Sequence, residues 1–160
     1  MEMKKDVMEQ IDSDICKLEV RRWAQLGLDV SAYAKPEFNH LQRSLIYQAL
    51  QLGLDASIFA NPEFSSDQMR AIFLGLQKGL DVSMYANPAF SYDQMTIIRI
   101  GLENGLDVSI YAKPEFSPGQ MHYICAGLLD GVDVSKYANP EFSDEQMRDI
   151  YVDELTHRHG

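Results

Sequence analysis

The apolar positions of this chain return at a fixed interval. Met69, Ile72 and Leu76 are followed by Met95, Ile98 and Leu102, then by Met121, Ile124 and Leu128, each set displaced by 26 residues. Within a set the spacing is three and then four, which places the side chains on one face of an α-helix rather than alternating across a strand. On a helical wheel at about 100° per residue, the near-constant positions Gln68, Met69, Ile72, Gly75, Leu76 and Gly79 fall within about 120° of arc. That arc is the expected buried stripe, and repetition at this period predicts a stack of helical units.

The polar positions between these sets supply starts and stops. Ser65, Ser91, Ser117 and Ser143, with Asn39, are placed as N-caps. Gln68, Gln94, Gln120, Gln146 and Gln42 follow three residues later and complete capping boxes. Phe64 with Met69, and its equivalents Phe90 with Met95, Phe116 with Met121 and Phe142 with Met147, have the spacing of a hydrophobic staple. Pro118 suits the first helical position, and Gly53, Gly79, Gly105 and Gly131 suit a left-handed stop. Long helices are predicted near 14–26, 40–52, 66–78, 92–104, 118–130 and 144–157. After each stop, Asp29, Asp55, Asp81, Asp107 or Asp133 opens a single turn through V-S-x-Y-A, which the proline two residues beyond prevents from continuing. The expected fold is all-α, an α-solenoid of about six long helices alternating with one-turn α or 3-10 elements. It resembles in architecture the leucine-rich variant repeat, with a different motif.

Gly75, Gly101 and Gly127 lie on the buried stripe in what the pattern predicts to be mid-helix, where glycine costs about 1 kcal/mol relative to alanine. Such a cost repeated in register predicts the close approach of another group, for which Tyr85, Tyr111 and Tyr137 are the candidates. Trp23 fills the same position in the first helix, and Asp153 with Glu154 replaces Gly-Leu in the last. A charged pair on the stripe is expected to close the array there. The predicted organisation is an N-terminal extension over 1–12, one helical-repeat domain over 13–157 and a tail over 158–160. Within the domain a degenerate half unit, 13–26, in which Ser13 falls in register with Ser65, precedes units starting at 27, 53, 79, 105 and 131.

Composition changes this picture little. With 46% apolar and 24% charged residues, the 160-residue chain is neither low-complexity nor disordered. Charge is more selective: the net value of −10, with an excess toward the C-terminal end that includes Asp144, Glu145, Asp149, Asp153 and Glu154, opposes direct nucleic-acid binding and attraction to anionic lipid. Charges interrupt the opening stretch and no apolar run approaches 18 residues, so neither a signal peptide nor a membrane span is expected, and a cytoplasmic location is. Cys16 and Cys125 fit no metal or redox spacing and are expected to be reduced structural thiols. The aspartate column is expected to cap turns and not to bind cations, because single carboxylates on successive units stand about 10 Å apart while calcium needs converging oxygens. His40, His122, His157 and His159 form no ligand pattern. No catalytic, cofactor or metal site is predicted.

Positions that vary between units are the remaining candidates for function. Five residues after the N-cap come Ser44, Arg70, Thr96, His122 and Arg148, and eight after it come Tyr47, Phe73, Arg99, Cys125 and Tyr151. Arginine and aromatic residues on one side of the wheel suit a protein-binding surface. Tyr47, Arg70, Phe73, Arg99, His122 and Tyr151 are the candidate contact residues, although Tyr47, Phe73 and Tyr151 suit packing between adjacent long helices equally well. The string Q-M-x-x-I-x-x-G-L-x-x-G-L-D-V-S-x-Y-A-x-P-x-F, over 27–152, resembles that of uncharacterised bacterial tandem-repeat proteins, some associated with mobile genetic elements. Arg43 in place of methionine and Ala49 in place of glycine depart from it. The expected role is a non-enzymatic module or scaffold that binds a protein partner or itself as a homodimer. The alternative is an acidic decoy from a mobile element, occupying a basic nucleic-acid-binding surface of a host protein.

Overall fold

The computed structural model describes residues 14, 16–27 and 35–158. The predicted extension over 1–12, Ser13, Asp29 and the last two residues of the predicted tail lie outside them. Among the described residues the chain is all-helical. Long helices occupy residues 16–25 (α1), His40–Gln51 (α2), Ser66–Gln77 (α3), Tyr92–Glu103 (α4), Pro118–Leu129 (α5) and Asp144–Arg158 (α6). Single 3-10 turns follow α2 to α5 at Ala56–Ile58, Val82–Met84, Val108–Ile110 and Val134–Lys136.

Each start and stop has the chemistry that its residues require. At α4, Ser91 Oγ accepts from the Gln94 amide at 3.2 Å while the Ser91 amide donates to Gln94 Oε1 at 2.8 Å. The same reciprocal pair opens α2 at Asn39 and Gln42, α3 at Ser65 and Gln68, α5 at Ser117 and Gln120, and α6 at Ser143 and Gln146. Together the pairs quench two of the amides that a helix start leaves bare. At the other end, Gly53, Gly79, Gly105 and Gly131 adopt φ between +69° and +70°. This turns the following amide back, so that Leu106 N donates to Gly101 O at 3.0 Å and Gly105 N to Leu102 O at 3.0 Å, the paired bonds of a Schellman stop. The four described aspartates of the column cap the 3-10 turns as expected: Asp107 Oδ1 accepts from both the amide and the hydroxyl of Ser109, at 3.2 and 2.5 Å.

The chain divides into two compact units, Met1–Phe73 and Leu74–Gly160, each with solenoid-like packing of consecutive elements. In the first, α2 packs against the turn that follows it, and Phe38, Ile46, Phe59, Phe64, Met69 and Ile72 are buried. In the second, α4 packs on α5 and α5 on α6, over a core of Met95, Ile98, Met121, Ile124 and Met147. Tyr85, Tyr111 and Tyr137 complete that core and are fully buried.

These tyrosines explain the glycines. A Cβ placed on Gly127 would clash with the Tyr137 hydroxyl and stand 2.7 Å from Val134 Cγ1; Gly75 with Tyr85 and Gly101 with Tyr111 repeat the arrangement. The hydroxyl needs that space to reach the helix backbone, where Tyr137 Oη donates to Tyr123 O at 2.9 Å and Tyr111 Oη to Ile97 O at 3.3 Å. The glycines are the third residue from the end of each helix, nearer the stop than the mid-helix position the repeat suggests. Their carbonyls also accept the Schellman bond, so the last turn holds the tyrosine and the stop together.

Candidate functional site

The capping glutamines have a second task that a local reading does not expose. Gln120 Nε2 donates to Phe142 O at 2.6 Å and Pro140 O at 3.0 Å, and Gln94 Nε2 to Phe116 O at 2.6 Å and Pro114 O at 3.2 Å. In the first unit, Gln42 Nε2 reaches Phe64 O at 2.6 Å. A capping box accepts glutamate or glutamine at this position, but only the amide carries a donor for the carbonyls of the following repeat. The repeated serines, aspartates and glutamines are therefore all occupied in structure, which leaves the variable helix positions to consider.

Those positions do not behave alike. Arg70 and His122 are exposed, as is Arg148 in the same column, whereas Ser44 and Thr96 are half-buried. Three positions further on, Phe73 and Cys125 are buried, and Tyr47, Arg99 and Tyr151 are half-buried. Phe73 is thus corrected from a contact residue to a packing residue: at 6% exposure its ring is taken out of water by the fold itself. Of the two alternatives for the aromatic positions, packing describes Phe73 fully and Tyr47 and Tyr151 in part.

In the first unit, Tyr47 lies face to face with Trp23 of α1, with ring centroids 5.2 Å apart and planes 13° from parallel. Gln51 Nε2 donates to its hydroxyl at 2.8 Å. Beside this pair stands the departure at Arg43. Its guanidinium is 1% exposed and donates through Nε to Glu19 Oε2 at 2.6 Å and through Nη1 to the Phe38 carbonyl. Glu19 Oε1 in turn lies 2.8 Å from His40 Nδ1. A buried cation in the methionine column is tolerable only because a carboxylate and a carbonyl meet it.

In the second unit, Arg99 of α4 pairs with Glu103, whose other oxygen meets Lys78 Nζ at 2.8 Å. The Lys78 hydrogen bond, with the charge of Arg99, holds the Glu103 carboxyl below its usual range. Burial pushes the Tyr85 phenol up to about 12, against the opposing pull of Arg99. On α5 and α6, His122 meets the edge of Tyr123 at 5.2 Å and Tyr123 lies 6.1 Å from Tyr151, whose hydroxyl donates to Asp130 Oδ2 at 2.5 Å. That bond to a carboxylate pushes the Tyr151 phenol up to about 12.

Two patches result: the Trp23–Tyr47 stack with its charged neighbours, and the His122, Tyr123 and Tyr151 cluster with Arg148 on the same helices. The structure brings His122 and Tyr151 together through Tyr123, a residue the sequence reading missed. Its signal was present, since the six-after-cap column otherwise holds Leu45, Ala71, Ile97 and Asp149. Among the described residues no group of three or more His, Cys, Asp or Glu side chains is placed to hold a metal ion, and no helix is long and apolar enough to cross a membrane. No family model matches the chain, and neither a curated protein nor a solved structure does.

Proposed function

We propose that this chain is a non-enzymatic protein-interaction module, whose constant positions build the stack and whose variable long-helix positions meet a protein partner. The observation that supports it is the division of labour within each unit. Methionine, isoleucine and tyrosine columns are buried, the polar constant residues are spent on caps and inter-repeat bonds, and Arg70, His122 and Arg148 emerge into solvent. Arginine and aromatic residues are the types that carry interface energy, and a repeat array changes its outward residues without disturbing the stack. An Arg70→Ala, His122→Ala, Arg148→Ala variant tests the reading, because all three side chains are exposed and their removal leaves the core intact. Partners recovered on the wild-type chain by cross-linking and affinity capture are expected to be lost on this variant while its far-UV circular dichroism stays unchanged. Equal recovery on both would remove this column from the function.

A further inference from the structure

The departures from the repeat converge on one place. Trp23 stands where Gly75, Gly101 and Gly127 stand in later units, Arg43 where the methionines stand, and His40 where Ser66, Tyr92, Pro118 and Asp144 stand. In the folded chain the first and last of these, with Glu19, Arg22, Ser44 and Tyr47, line a cavity of about 210 Å³ between α1 and α2. Arg43 lies directly behind its Glu19 wall.

The charge of this cavity runs against that of the chain. Its one carboxylate, Glu19, is already met by Arg43, so that pair sums to zero. Arg22 is exposed and its guanidinium makes no hydrogen bond or ion pair among the described residues, and Arg43 Nη2 is buried without a hydrogen-bond partner. With Arg43 counted behind the lining, the site holds two guanidinium groups against one carboxylate, and an imidazole, in a protein whose net charge is −10. Its floor is aromatic, formed by Trp23 and Tyr47. The volume lies below that of a pocket for a drug-sized molecule, about 300–1,000 Å³, which limits an occupant to one ring or a similar planar body with one acid group. Guanidinium pairs with carboxylate in a planar two-bond geometry, and a ring gains contact against stacked aromatic walls.

We propose that this cavity binds a carboxylate attached to a single aromatic ring, with Arg22 holding the acid and the Trp23–Tyr47 pair the ring. Such a group is found both in small aromatic acids and at the C-terminus of a peptide ending in phenylalanine. The site is built from residues other than Arg70, His122 and Arg148, so it stands or falls separately from the partner-binding reading.

The chain has a single tryptophan, Trp23, so its fluorescence reports on this cavity alone. The full chain is titrated with phenylacetate, with phenylacetamide, and with a short peptide ending in phenylalanine as the free acid and as the amide. A saturable change with phenylacetate or the free-acid peptide, weakened at least about tenfold in the amide counterpart and in Arg22→Gln, is expected; about 1.4 kcal/mol corresponds to that factor. Whichever acid binds more tightly identifies the source. Lys113→Gln, at an exposed residue outside the lining, is expected to leave the affinity unchanged. The absence of a saturable change with both acids, an equal response to the amides, or unaltered affinity in Arg22→Gln would each overturn the proposal.

Discussion

Alanine in place of glycine in a helix ordinarily stabilises, by up to about 1 kcal/mol. Gly127→Ala is expected to do the opposite here. The new methyl group would overlap the Tyr137 hydroxyl and press on Val134 Cγ1 at 2.7 Å, and Tyr137 is fully buried, so the ring has no solvent to move into. Forcing one extra carbon into a packed core costs about 1–3 kcal/mol. Displacing the hydroxyl also breaks its 2.9 Å bond to Tyr123 O and leaves a buried donor unmatched, about 1–3 kcal/mol more. After subtraction of the helix gain, a net loss of about 1–5 kcal/mol remains. Tyr137→Phe alone loses only the hydrogen bond, about 1 kcal/mol, and vacates the space the methyl group needs. The double variant is therefore expected to lose less than the sum of the two single losses, by about 1–2 kcal/mol of coupling. Urea and thermal denaturation of the four proteins, followed by far-UV circular dichroism, complete the cycle; at this chain length 1 kcal/mol moves the midpoint by about 2–4 °C. A Gly127→Ala midpoint at or above that of the wild type, or strict additivity in the double variant, would refute the idea that the glycine exists to admit the tyrosine.

Two further outcomes follow from named contacts. Gln120→Glu keeps the acceptor for the Ser117 amide but turns a carboxylate oxygen toward Phe142 O and Pro140 O, at a cost of about 2–4 kcal/mol at neutral pH. Facing two acceptors, the new carboxyl has a folded pKa raised above the ordinary ~4.3, so the penalty shrinks at acid pH, where its O–H can donate, and grows as pH rises through the folded pKa; an equal stability difference from wild type at pH ~4 and pH ~7 would contradict this. Burial raises the phenols of Tyr85, Tyr111 and Tyr137, that of Tyr85 to about 12. Because the folded state holds these protons more tightly than the unfolded one, their stabilisation is complete below the ordinary pKa of ~10 and is lost as pH rises through the folded values. Phenolate absorbance and circular dichroism recorded along an alkaline titration should show these tyrosines ionising together with unfolding; ionisation of all eight tyrosines near pH 10 with the fold intact would contradict it.

Much of the fold was legible because each helix carries its own punctuation. A serine or asparagine with a glutamine three residues on, and a glycine that must take positive φ, are local chemistry, and they place the starts of α2 to α6 and the ends of α2 to α5 within one or two residues of their observed positions. The tyrosine contact was legible for a different reason, since a glycine repeated on a buried stripe has to make room for something. The second bond of the glutamines was not, because the capping box already accounts for the residue within one helix and nothing local calls for a further partner. Nor was the Arg43–Glu19 pair. Arg43 stands out as a break in the methionine column, but the register of the half unit does not say which of its charged residues meets it. Phe73 shows where the helical wheel stops being informative, because angle on a helix does not say which neighbouring side chains will cover it.

The glutamine bonds also set the grain at which this chain can loosen. Gln94 and Gln120 each grip the start of their own helix with one end and the loop of the following repeat with the other. Fraying of that helix start and parting of adjacent repeats are therefore a single event, and partial openings should come in whole-repeat steps rather than residue by residue. The amides of Ser91 and Ser117 would then exchange with solvent in step with the opening of the loop that leads into the next long helix, although each sits at the edge of a helix where exchange is ordinarily fastest. A chain held in this way works as a ratchet of interchangeable teeth, in which losing one contact releases a tooth and leaves the others engaged.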